Sequence, residues 1–99
     1  MENLSEFELE VLENLPAEPT GLSLAELADG LLNDRSPRAR GKVRLALDAI
    51  SRTLGGLCIY FGNDDLYGFG VKMYGVPRNR MREVREFFLT RLMNSRRRA

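Results

Sequence analysis

Residues 35 to 44 of this 99-residue chain hold five cations: Arg35, Arg38, Arg40, Lys42 and Arg44. Arg52 follows two helical turns beyond Arg44. A guanidinium presents a planar fork of donors, so arginines at this density suit bidentate pairing with phosphate oxygens or with the acceptor edge of guanine. The competing use of such a run is a solvated face that makes weak ion pairs within its own chain.

Few other side chains offer chemistry. The chain has no histidine, so the commonest general base and metal ligand is missing. Its one cysteine, Cys58, can form neither an intrachain disulfide nor a thiolate zinc site, and it fits a reducing compartment. Gly68-Phe69-Gly70 has the look of part of a phosphate-binding glycine motif, but it falls inside a strand pattern rather than before a helix. Asp64 and Asp65 read as a solvated turn. The expectation is a non-enzymatic protein with no catalytic residue, metal site or cofactor.

Composition agrees with a single soluble domain: 43% hydrophobic and 29% charged residues. No apolar run approaches the roughly 18 residues of a membrane span. An acidic N-terminus without an apolar stretch argues against a secretory signal, so a cytoplasmic location is expected. The net charge of +1 conceals a partition. Residues 1 to 34 carry nine acidic and no basic side chains, whereas residues 35 to 99 carry fifteen basic and five acidic ones. One part of the surface is thus suited to a polyanion that another part repels.

The elements that must position these charges are marked by caps and periodicity. Ser5 with Glu8 forms a capping box, Leu4 and Leu9 a hydrophobic staple, and Leu4, Phe7, Val11 and Leu15 an apolar stripe. Pro16 and Pro19 end this first helix. After a short extended link at 20 to 22, Ser23 with Glu26 repeats the signature, and Leu24, Leu27, Ala28, Leu31 and Leu32 supply a buried face up to Asn33-Asp34. Ser36-Pro37 starts a third helix that reaches Leu54 before Gly55-Gly56. On it Val43, Ala46, Leu47, Ile50 and Leu54 face one way, and Arg38, Arg44, Leu45, Asp48 and Arg52 the other. The period then changes to two: a strand at 57 to 61, turn residues at 62 to 65, and a second strand with Tyr67, Phe69, Val71 and Met73 on one side. Pro77 closes the hairpin. A last helix from about residue 79 carries Met81, Val84, Phe88 and Leu92 on one face and ends in a basic tail, Arg96 to Arg98, expected to be disordered.

In this order the chain resembles the winged-helix family of DNA-binding regulators. The resemblance runs from Leu4 to Pro77 and rests on the stretch from Leu22 to Ala28, then Val43, Leu47 and Ile50, then Leu57 leading into the hairpin. It implies an α+β, mostly helical fold with a three-helix helix-turn-helix core, a hairpin wing and a C-terminal helix. Residues 1 to 77 form the winged-helix part, and 78 to 99 the helix and tail of the same single domain. It further implies a transcriptional regulator whose third helix lies in the major groove of double-stranded DNA. The contacts would come from Arg35, Arg38, Arg40, Lys42, Arg44 and Arg52. A homodimer would form through Met81, Val84, Phe88 and Leu92. The interval from Ala28 to Val43 is about five residues longer than in a compact helix-turn-helix. Asp64 and Asp65 would repel phosphate, so the wing is not expected to insert into DNA. A winged-helix module that docks on another protein is the alternative, and RNA binding through the arginine tail is a third reading.

Overall fold

Three serines set where the first three helices begin. Ser5 Oγ accepts the Glu8 N–H at 3.2 Å and the Glu8 carboxylate accepts the Ser5 N–H at 2.9 Å, the reciprocal box that opens α1 (Glu6–Asn14). Ser23 Oγ accepts the Glu26 N–H at 3.2 Å at the start of α2 (Leu24–Leu32). Here the Glu26 carboxylate takes the Ser23 hydroxyl proton rather than the backbone N–H, so the expected box is only half made. Asn33, at φ 50°, turns the chain out of α2 in the left-handed region. Ser36 Oγ accepts the Ala39 N–H at the start of α3 (Pro37–Leu54), and Asp34 holds Ser36 in place through both its N–H and its hydroxyl. Gly55, at φ 77°, ends α3 where a side chain would be strained.

The computed structural model describes residues 1, 3–63 and 70–98: four helices and a three-stranded antiparallel sheet. Two strands, β2 (Cys58–Asn63) and β3 (Gly70–Gly75), form the hairpin, with Ile59 opposite Tyr74 and Phe61 opposite Lys72. Residues 64 to 69, which include Asp64 and Asp65 of the expected turn and Tyr67 and Phe69 of the expected second strand, lie outside the described residues. The segment expected as a plain link supplies a third strand, β1 (Leu22–Ser23), which pairs with β3 and gives the order β1-β3-β2. β2 begins one residue later and ends two later than expected, and β3 continues to Gly75.

β3 ends against the chain that follows α1. Val76 donates its N–H to the Pro16 carbonyl and accepts the Glu18 N–H, each at 2.9 Å. α4 (Arg78–Arg98) starts after Pro77 and stays helical through the arginine tail, where disorder was expected. The core lies where α1, α2 and α3 meet: Val11, Ala28, Val43 and Ile50 are fully buried, and Val76 and Val84 extend it towards α4. No described helix is long and apolar enough to cross a membrane.

Candidate nucleic-acid interface

The inward side of α3 anchors the helix in the core. Ala39, Val43, Ala46, Leu47, Ile50 and Leu54 are all buried, and an aliphatic side chain such as Ile50 contributes about 1.5–3 kcal/mol by leaving water. At about 100° per residue, the opposite side carries Gly41, Leu45, Asp48 and Arg52, with Arg38 and Arg44 towards its two edges. All of these are exposed, Leu45 to 71%. A Cβ placed on Gly41 would meet nothing within 4 Å, so a partner can approach the α3 backbone there. Leu32, Asp34, Arg38, Gly41, Leu45 and Asp48 border an open groove at this end of the helix.

The six cations named from the sequence divide on the structure. Arg38, Arg44 and Arg52 stand on the outer face, and no ion pair engages them among the described residues. Arg40 is exposed on the flank of α3. Lys42 turns towards α1, its Nζ lying 4.5 Å from the centre of the Phe7 ring in a cation–π contact. Arg35 precedes the helix and pairs with Asp29 at 3.3 Å. That pair is half exposed and worth little to stability, so Arg35 is restrained rather than locked.

The four apolar residues named on the last helix divide too. Val84 is buried in the chain's own core, Met81 and Phe88 pack partly against it, and Leu92 is 52% exposed. Leu89 and Met93, which the sequence reading passed over, are exposed beside Leu92. Their signal was a second apolar line one position from the Phe88–Leu92 stripe. A groove runs between α1 and α4, with Glu6, Glu10 and Glu13 on one side and Arg85 and Arg91 on the other. Arg91 crosses it, donating to both Glu6 carboxylate oxygens at 3.1 and 3.2 Å.

A second polar cluster ties α4 to the hairpin. The Glu18 carboxylate accepts the Arg78 N–H at 3.0 Å and the Cys58 thiol proton at 3.4 Å. The Arg78 N–H, and after it the thiol, hold the Glu18 carboxyl below its ordinary range. Burial pushes the Cys58 thiol up, the neighbouring carboxylate adding to it, and burial likewise raises the Tyr60 phenol. Through these hydrogen bonds the chain after α1 is fastened to β2 and to the start of α4. Among the described residues, no three His, Cys, Asp or Glu side chains gather as metal ligands. Compared with family models, curated proteins and solved structures, the chain finds no match.

Proposed function

We propose that this chain is a winged-helix domain that binds double-stranded DNA sequence-specifically as a small transcriptional regulator, laying the outer face of α3 in the major groove. The carrying observation is that this face is backed by buried residues, exposed, and furnished with Arg38, Arg44 and Arg52, which make no ion pair among the described residues. Three features support it. The strand order β1-β3-β2, with β1 set between α1 and α2, suits a wing that follows a helix-turn-helix. The N-terminal N–H groups of α3 add a favourable field for phosphate beside Arg38 and Arg40. Leu45 can contact a thymine methyl group.

The domain acts as a homodimer in this reading, because two half-sites multiply affinity. The second copy covers Leu89, Leu92 and Met93, and the acidic α1 rim of one chain meets the basic α4 rim of the other across a two-fold axis. One observation favours the alternative of a protein-docking module: Phe61 is 75% and Ile59 50% exposed on one side of the hairpin. A mobility-shift titration with random duplex DNA separates the two. Binding that weakens as salt rises supports the DNA reading, and no shift at about 50 mM salt leaves the docking module.

A further inference from the structure

Asp48 sits in the middle of the exposed face of α3, four residues after Arg44 and four before Arg52. Both spacings place neighbours on one helix face, yet no ion pair joins Asp48 to either arginine among the described residues. Its other neighbours on that face, Gly41 and Leu45, offer it no hydrogen bond. Among the described residues, no ion pair and no side-chain hydrogen bond engages the Asp48 carboxylate. A surface that merely neutralised phosphate would bind better without it, since Asp48 repels the polyanion that the arginines attract.

In the major groove a carboxylate finds favourable donors in amino groups, above all N4 of cytosine, while arginine pairs with O6 and N7 of guanine. The helix rises 1.5 Å per residue, so the three side chains follow one another about 6 Å apart, a little under two base-pair steps. Resting on the DNA reading above, we infer that Asp48 is the specificity-determining residue of α3, accepting from cytosine N4 between guanines read by Arg44 and Arg52. Opposite a base edge that presents only acceptors, the same carboxylate is left unpaired in a desolvated groove. It thus rejects wrong sequences as well as rewarding the right one.

The test is selection of bound sequences from a randomised duplex pool by the full chain, as wild type, Asp48→Asn and Asp48→Ala. Wild type should enrich cytosine at one position, with guanines about two positions to either side. Asp48→Asn should move that position towards adenine, whose N6 and N7 suit an amide. Asp48→Ala should lose discrimination there by about tenfold while binding random duplex more tightly than wild type. Identical preferences from all three proteins, with only a uniform gain in affinity for the variants, would overturn the role of Asp48 and leave the DNA reading standing. Absence of DNA binding by all three would overturn both.

Discussion

A Cβ added at Gly41 meets nothing within 4 Å, whereas one added at Gly75 lies 2.5 Å from the Thr20 carbonyl oxygen. Alanine should therefore act oppositely at the two sites. Gly41→Ala removes a flexible residue from an exposed helix position and should stabilise the fold by about 1 kcal/mol. Gly75→Ala forces β3 away from the chain after α1 and should cost about 1–3 kcal/mol. Thermal midpoints of the two variants decide this, Gly41→Ala rising and Gly75→Ala falling. Glu18 gives a pH signature instead. Its folded-state pKa lies below the ordinary 4.5, so its contribution is complete above that pH and is lost as the pH falls through the lower folded value. Glu18→Gln should lower stability at neutral pH and show a shallower decline on acidification, followed by denaturant titration between neutrality and acid.

At the scale of elements, the helices were legible because their signals are local. Ser5, Ser23 and Ser36 lie next to the turns they cap, and the apolar spacing that follows each names its buried face. β1 was not legible, because Leu22 and Ser23 are too few to show alternation and only their pairing with Tyr74 and Met73 makes them a strand. The arginine face was half legible for a similar reason. Helical spacing separates Arg38, Arg44 and Arg52 from Lys42, but the ring that engages Lys42 and the carboxylate that engages Arg35 come from other helices. The start of α3 depends on one cap. Ser36→Ala removes the acceptor for the Ala39 N–H and the donor to Asp34, and should cost about 1 kcal/mol in a chemical melt. Because Arg38 and Arg40 sit on that first turn, the same variant should bind DNA more weakly than its loss of stability explains.

Over the whole molecule, the charge partition seen in the sequence becomes a division of labour between helices. Acidic α1 and basic α4 flank one groove and share the Arg91–Glu6 pair, while Arg38, Arg44 and Arg52 on α3 make no ion pair among the described residues. The buried and exposed apolar residues of α4 predict different responses to an introduced charge if the exposed ones meet a second copy. Leu92→Asp with Leu89→Asp should give a folded monomer by sedimentation at micromolar concentration, whereas Val84→Asp, aimed into the core, should unfold the chain. A wild-type chain that sediments as a monomer would remove the dimer.

The outer face of α3 as the DNA contact is tested most directly by the salt dependence of duplex binding in wild type, Arg38→Glu and Arg82→Glu. The two reversals change net charge equally, but Arg82 lies on α4 with its side chain 91% exposed and paired to Glu86. If each chain of a dimer neutralises roughly three phosphates, the logarithm of the binding constant should fall with the logarithm of salt at a slope of about −5. Arg38→Glu should weaken binding and flatten that slope, and Arg82→Glu should leave it nearly unchanged. Equal effects from the two variants, or no wild-type binding at about 50 mM salt, would contradict the assignment.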